Sequence, residues 1–446
     1  MRMNKEKQLR DFIIKASLDE ILELTEELHP VDLLEVLQEF EEDQKELLEK
    51  FPDEYIAMVI DEAELDEKYI LLSLFSAKQK QDIIAEMSSN ELADMLGNID
   101  EETQHTILDG MEEDFREEIE ELLSFSPETA GGIMATEFVS VQETMTIDET
   151  LIFLRDISPN AETPYYIYVL DEQDVLKGIV PIRAILTSLP SVLLKDVMLE
   201  NVATIPVEMD QEEVSNIFQK YGYMAMPVVD DQDVMLGVIT VDDIMEVLSD
   251  EHTEDMYRLA GLDEEEEIDG TVMDSIKSRL PWLLVNLITA ILASATVSLF
   301  DATISKVVAL AVFMPLVTGM GGNAGTQTLT LIIRGIALGE IDYENKKEIL
   351  RKEFLVGILH GISLGLIVAV LGGLWEGSFV FGLVIGVAMF LNIVIAALSG
   401  FYVPLLLKKM GVDPALASAV FVTTMTDVLG FFFFLGFATI MIDYLI

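Results

Sequence analysis

The sequence predicts a multi-domain protein: an all-α superhelical N domain, an α/β domain built from two copies of one unit, and an α-helical transmembrane domain of five spans. Three observations carry this expectation. The charge is divided unevenly: the chain holds 27 Lys+Arg against 80 Asp+Glu, yet residues 281–446 contain only 10 acidic and 8 basic residues. A strand and helix pattern beginning at Ile133 recurs from Val197. Five apolar runs, at roughly 281–300, 305–337, 354–375, 379–407 and 414–442, each reach the ~20 residues that a bilayer crossing needs. The expected boundaries are 1–128 for the helical domain, 129–250 for the repeated unit, 251–279 for an acidic connecting helix and linker, and 280–446 for the membrane domain.

In the first domain, LHPVDLLEVLQEF, FPDEYIAMVIDEA and SSNELADMLGNI each join a cap or turn signal to apolar residues at helical spacing. Pro30, Pro52 and Ser89 suit the cap or first turn of a helix. Repetition of such units predicts stacked helix pairs.

The second domain repeats itself more plainly. IYVLDEQDVLKGIVPIRAIL and MPVVDDQDVMLGVITVDDIM both read as strand, acidic turn, strand, helix, with Gly178 and Gly237 in the last strand. Pro227 to Asp230, Leu236 to Ile239 and Thr240 to Asp243 resemble a cystathionine β-synthase (CBS) domain, so the two copies would form a CBS pair. The resemblance implies an adenosine nucleotide such as ATP near Thr240 and Asp243. The first copy has Pro181-Ile-Arg183-Ala184 at that place, which supports at most one such site; a purely structural pair is the alternative.

EVLSDEHTEDMYRLAGLDEEEEID, from Glu246 to Asp269, connects this domain to the first span. Met256, Leu259 and Ala260 mark an apolar side. Glu251, Glu254 and Asp255 crowd carboxylates on a helix surface, where like charges repel and a divalent cation would reverse the sign. Glu264 to Glu267 read as a solvated acidic linker.

The N-terminus has no apolar signal-peptide core, so the acidic domains are expected in the cytosol, and five spans then put the C-terminus outside. Arg334, Lys346, Lys347, Arg351 and Lys352, with Lys408 and Lys409, fall in the two loops that this topology makes cytosolic, as the positive-inside rule requires. Asp427 is the outstanding residue of the spans, because an ionisable group there costs roughly 2.5–3.5 kcal/mol and no basic residue shares its run. It must be protonated, hydrated or matched by a mobile cation; hydrogen bonds from Thr423, Thr424 or Thr426 are the structural alternative. In PLVTGMGGNAGTQ, residues 315–327, Pro315 and four glycines weaken the helix, and an interrupted span is expected. Asn323 and Gln327 share a face, while Gly321 and Gly325 form a GxxxG that also suits helix packing.

The chain has no cysteine, and the membrane half has His360 as its lone histidine, so a soft metal is disfavoured and a hard, hydrated cation such as Mg²⁺ is favoured. Residues 1–280 hold 70 acidic against 19 basic residues, which argues against nucleic acid as a partner. No catalytic triad, thiol nucleophile or phosphate-cradling loop is recognisable, so the protein is not expected to be an enzyme.

Taken in order, the helical domain, CBS pair, acidic helix and five spans resemble the MgtE family of magnesium channels. The most specific residues are Pro315-x3-Gly319-x-Gly321-Gly322-Asn323-x-Gly325-x-Gln327 and Val412-Asp413-Pro414-Ala415 through Thr426-Asp427. The resemblance implies a homodimer with a pore at its axis, Asp427 holding hydrated Mg²⁺ with the Thr423 carbonyl and Asn323, and Asp413 at the pore mouth. It further implies regulatory Mg²⁺ at Asp243, Glu246, Glu251, Glu254 and Asp255, with Asp94 in the helical domain. Glu246 and Ala419 are suspected departures from other members, which carry Asp and Asn there. The expected function is magnesium uptake across the cell membrane, gated by intracellular Mg²⁺. A proton-coupled carrier of another divalent ion such as Co²⁺, or a non-transporting CBS-domain membrane sensor, are the competing readings.

Overall fold

The computed structural model describes residues 2–156, 166–262, 266, 270–341, 345–416 and 418–446. It divides into two compact units, Met1–Val247 and Leu248–Ile446.

The first unit opens with short helices, among them Pro30–Glu39, Asp53–Asp61, Leu65–Ser73 and Ser89–Gly97. Pro30 starts its helix and Pro52 caps the next, because proline's fixed φ and missing N–H are tolerated there. Leu33, Leu37, Ile56 and Ile60 recur at helical spacing and are fully buried, so amphipathic periodicity translates directly into a stacked core. The Tyr55 hydroxyl donates to the Leu28 carbonyl at 2.8 Å and ties one helix to its predecessor. Helix Ser89–Gly97 joins the next domain: Glu137 accepts from Ser89 N at 3.0 Å and from Ser89 Oγ at 2.9 Å.

Two three-stranded sheets follow, ordered β1 (Ser140–Gln142), β2 (Tyr166–Leu170), β3 (Leu176–Pro181) and β4 (Ile205–Pro206), β5 (Ala225–Val229), β6 (Met235–Thr240). Each has a parallel first pair and an antiparallel second, with Tyr166 opposite Pro181 in one and Ala225 opposite Thr240 in the other. The hairpins match in detail. Asp171 and Asp230 accept from the backbone two and four residues on, letting Asp174 and Asp233 adopt φ of 58° and 61°. The two turns also bond each other, Leu176 N to the Asp233 carbonyl at 3.0 Å and Met235 N to the Asp174 carbonyl at 3.1 Å. The repeated sequence is thus a pseudo-two-fold pair.

Helix α1 (Val241–Ala260) begins in the first unit and ends in the second. The second unit then contains α2 (Val272–Ser298), α3 (Ala309–Ala337), α4 (Lys346–Glu376), α5 (Phe379–Lys409) and α6 (Ser418–Ile440). Among the described residues, α2, α4, α5 and α6 are long and apolar enough to cross a membrane. The long helix that falls short is α3, whose glycines, threonines, Asn323 and Gln327 dilute its apolar content. Its core contacts are nevertheless those of a bundle helix: Leu310, Phe313 and Val317 pack with Phe381, Met389 and Ile393 of α5 and Phe434 of α6.

Two expectations need correction. The 315–327 segment is not interrupted; α3 runs continuously with Pro315 inside it. Gly321 and Gly325 serve close packing, since a Cβ on Gly321 would lie 2.8 Å from Asn392 Cγ and one on Gly325 would lie 2.5 Å from Val422 Cγ1. The acidic linker is not uniformly solvated either: Glu266 is buried and paired with Arg279, which holds its carboxyl below the usual range. Glu264, Glu265 and Glu267 lie outside the described residues.

Candidate functional site

Asp427 sits on α6, partly exposed, one turn beyond Thr423. The neighbouring hydroxyls do not satisfy it. Thr424 Oγ1 donates to the Val420 carbonyl at 2.6 Å, Thr426 Oγ1 to the Thr423 carbonyl at 2.9 Å, and Thr423 Oγ1 to the carbonyls of Ala419 and Val420. Threonines in a membrane helix commonly return their proton to the preceding turn in this way. Among the described residues, no hydrogen bond or ion pair reaches the Asp427 carboxylate. The Thr423 carbonyl keeps only the lone-pair capacity that Thr426 and the helix leave to it.

Across from this helix, α3 presents Pro315, Gly319, Asn323, Thr326 and Gln327 on an exposed face. Gly319 has open space where a Cβ would stand, and Gly322 lies beside the Thr423 methyl, 3.6 Å from its own missing Cβ position. The structure therefore brings the Gly322–Asn323 region of α3 alongside the Thr423 region of α6, with Asn323 and Thr423 both exposed. His360 is exposed on α4, while Gly357, Gly361 and Gly365 of the same helix are buried.

Glu353 was not singled out by its sequence, because it stands at the charged end of its run beside Arg351 and Lys352. It is 5% exposed in α4, accepts from Thr328 Oγ1 of α3 at 3.4 Å, and has Lys352 Nζ 3.5 Å away.

The loop between α5 and α6 holds Asp413, whose Oδ1 accepts from Ala415 N at 2.8 Å. Arg258 of α1 donates to Asp413 Oδ2 at 2.7 Å and also pairs with Glu254. Asp255 stands nearby; burial and the Asp413 carboxylate push its pKa up. Leu259 packs with Leu329, Ile333, Ala415 and Val422, whereas Met256 and Ala260 of the predicted apolar side are exposed. The cation found among these carboxylates is a guanidinium of the chain itself. Its signal was present in the sequence as Glu254 four residues before Arg258.

A second acidic group lies in the first unit. Burial pushes Asp94 up to about 7, and the Glu91 and Glu246 carboxylates add to that shift while Lys68 opposes it. Asp243 is pushed up to about 6 by burial, against its hydrogen bonds from Thr240. Lys68 is 5% exposed, donates to the Asp61 carbonyl at 2.8 Å and pairs with Glu91. Glu246 is thus within electrostatic reach of Asp94, and Glu91 is within reach of both Asp94 and Asp243. Glu251 stands on α1, in sequence between Glu246 and Glu254, and is partly exposed. Glu91, three residues before Asp94 on the same helix, is the member that sequence reasoning missed. Among the described residues, no group of three His, Asp or Glu side chains stands close enough to hold a metal ion.

Between the two CBS-like copies lies a cavity of about 220 Å³ lined by Tyr166, Tyr168, Tyr223, Ala203, Ala225 and Pro227 among others. The Tyr168 hydroxyl is buried and has no partner among the described residues. Thr240, paired with Ala225 across β5 and β6, is buried and donates through N at 2.8 Å and Oγ1 at 2.6 Å to Asp243 Oδ2. The bond from Thr240 N to the Asp243 side chain is one half of a capping box for α1, so one role of the Thr-x-x-Asp element is to start this helix.

These features coincide with those of known proteins. A relative from Thermus thermophilus, named magnesium transporter MgtE, is 33% identical over 442 residues, spanning 98% of this chain and 98% of its own length. The chain belongs to the MgtE family. An Enterococcus faecalis protein of the same name is 36% identical over 74% of this chain and 72% of its own. Family models match in domain order: the MgtE intracellular N domain over residues 5–128, the CBS domain over 130–191 and 194–250, and the MgtE divalent cation transporter over 314–437. Among solved structures, the soluble part of a magnesium transporter is 30% identical with a TM-score of 0.53, covering 56% of this chain and 99% of that one. The cytosolic domain of the Mg²⁺ channel MgtE in complex with ATP is 31% identical with a TM-score of 0.50, covering 55% and 100%. As an MgtE-family member with several long apolar helices, the protein is embedded in a membrane.

Proposed function

We propose that this MgtE-family chain is a Mg²⁺ channel of the cell membrane, working as a homodimer and closed by intracellular Mg²⁺. The observation that carries the reading is Asp427: a partly exposed membrane carboxylate without a protein partner among the described residues, one turn beyond Thr423, which Gly322 of α3 approaches. Two copies joined along α3 and α6 bring two such carboxylates to one axis. A small ion that keeps most of its water suits that sparse oxygen set, with Thr423 and Asn323 reaching its hydration shell. Asp413 attracts ions at the mouth.

In this topology the N-terminus is cytosolic and the C-terminus outside. Asp94, Asp243, Glu246, Glu251, Glu254 and Asp255 repel when intracellular Mg²⁺ is low and are bridged when it is high. A closed arrangement prevails only if it binds the ion more tightly than the open one. The aromatic cleft between the CBS copies supports an adenosine nucleotide as a further ligand. ATP titrated against full-length protein should bind there and lose affinity on Tyr168→Ala.

Purified protein in liposomes tests the central assignment. Asp427→Ala should reduce Mg²⁺ uptake at least about a hundredfold while leaving a monodisperse protein; uptake at the parent rate would refute the pore. Uptake that follows a pH gradient without electrical current would instead identify a proton-coupled carrier of another divalent ion such as Co²⁺.

A further inference from the structure

A lone asparagine interrupts the apolar surface of α5. Asn392 is 0% exposed, at the centre of the helix Phe379–Lys409 and away from both polar ends. An amide in such a place is costly unless its hydrogen bonds are made. Its Nδ2 donates to the Val317 carbonyl of α3 at 2.8 Å. That carbonyl already belongs to the α3 helix, so Asn392 uses its second lone pair. The orientation follows from chemistry, since a carbonyl only accepts and the amide must turn its NH₂ toward it.

The approach is possible because the facing positions lack side chains. A Cβ on Gly321 of α3 would stand 2.8 Å from Asn392 Cγ, and a Cβ on Gly430 of α6 would stand 2.9 Å from both amide heteroatoms. The amide is therefore a wedge gripped by a glycine from each neighbouring helix. Gly321 is two residues before Asn323, and Gly430 is three residues after Asp427. The wedge lies behind the polar face, within one turn of the groups assigned to the ion path.

Among the described residues, none partners the buried Asn392 Oδ1. An apolar side chain of the same shape would fill the space without that unmet acceptor, so packing alone does not account for the amide. What the amide adds is a directional bond that fixes α3 in register against α5, while its volume holds α6 away.

We propose that Asn392 is a positioning residue of the ion path, setting the separation and register of α3 and α6 and hence the distance from Asp427 to Asn323. This rests on the assignment of those two helices to the path. Ångström-scale displacement of a binding constellation costs as much as about a hundredfold in rate, so a wedge at this point governs flux and ion discrimination.

The test uses full-length protein in liposomes, with Mg²⁺ and Co²⁺ uptake normalised to folded, monodisperse protein. Asn392→Leu keeps the volume and loses the donor; Gly321→Ala drives a methyl into the amide. Each should lower Mg²⁺ flux about tenfold and change the Mg²⁺ to Co²⁺ ratio by at least about threefold. The double variant Gly321→Ala with Asn392→Ala moves the volume from one helix to the other but still lacks the donor, so it should regain part, and not all, of the flux that Gly321→Ala loses. Parent flux and parent ion ratio in the folded single variants would overturn the proposal, as would lost flux with an unchanged ratio and no rescue. If Asn392→Leu yields no folded protein, the Gly321→Ala variant and its rescue decide the matter. Asp427→Ala separates the two levels: active Asp427→Ala defeats the pore assignment, whereas inactive Asp427→Ala beside normal wedge variants defeats only the wedge.

Discussion

Both units answer their crowded carboxylates from within, and Asp427 of the second is the exception. In the first unit, Asp94, Glu91 and Asp243 are crowded, but each meets an internal answer: Lys68 between helices, or the Thr240 cap. In the second unit Arg258 answers Glu254 and Asp413, and Thr328 and Lys352 approach Glu353. Asp427 receives nothing comparable among the described residues. In the proposed channel this open carboxylate is the one left for a mobile charge, while the answered ones shape the protein.

The comparison is broken most strongly at Lys68. Replacing a buried partner leaves uncompensated charge, which typically costs about 3 kcal/mol. Lys68→Met should therefore lower the melting temperature of the soluble transition in full-length protein by on the order of 5–10 °C. Added Mg²⁺ should raise the variant's melting temperature more than the parent's, because the ion takes over the lost cation's role. Equal Mg²⁺ shifts in both proteins would show that the cluster does not hold the ion.

Proton titration gives a smaller effect of defined sign. Asp61 and Asp94 are both pushed up to about 7, chiefly by burial, from an unfolded value near 4. Their stabilising contribution is fully present below the unfolded value and is lost as pH rises through about 7. In chelator, amide exchange in helix Ser89–Gly97 should accelerate by about tenfold between pH 5 and pH 8, and Mg²⁺ at pH 8 should slow it again. Exchange that is independent of Mg²⁺ after correction for intrinsic rates would contradict this.

The smallest effect is expected at Arg258, whose partners remain partly exposed. Arg258→Gln removes the tie between α1 and the α5–α6 loop. The intracellular Mg²⁺ needed for half-inhibition should rise about threefold, read from flux at stepped internal Mg²⁺. An unchanged inhibition curve would remove Arg258 from the gate.

Much of this was legible in the sequence, for a physical reason. Periodicity and repeats report local burial, so the stacked helices, the paired hairpins around Asp174 and Asp233 and the apolar spans could be read residue by residue. Asp427 was legible because a lone charge in an apolar run is costly whatever surrounds it. The continuity of α3 was not, since Gly321 and Gly325 are explained by Asn392 and Val422, which lie far along the chain. Glu353 was hidden among basic neighbours, and Arg258 was hidden in a segment whose acidity dominated its reading. Asn392 gave no signal beyond being one amide in an apolar helix; its meaning is entirely tertiary.

The central claim is that the Asp427 charge serves the ion rather than the fold. Asp427→Asn keeps the shape and removes the charge, and flux and melting temperature should be measured on the same preparation in liposomes and in chelator. Mg²⁺ uptake is expected to fall at least about a hundredfold while the melting temperature holds or rises, because a partly buried charge has been removed without losing a bond. Preserved uptake, or uptake lost together with the fold, would contradict it.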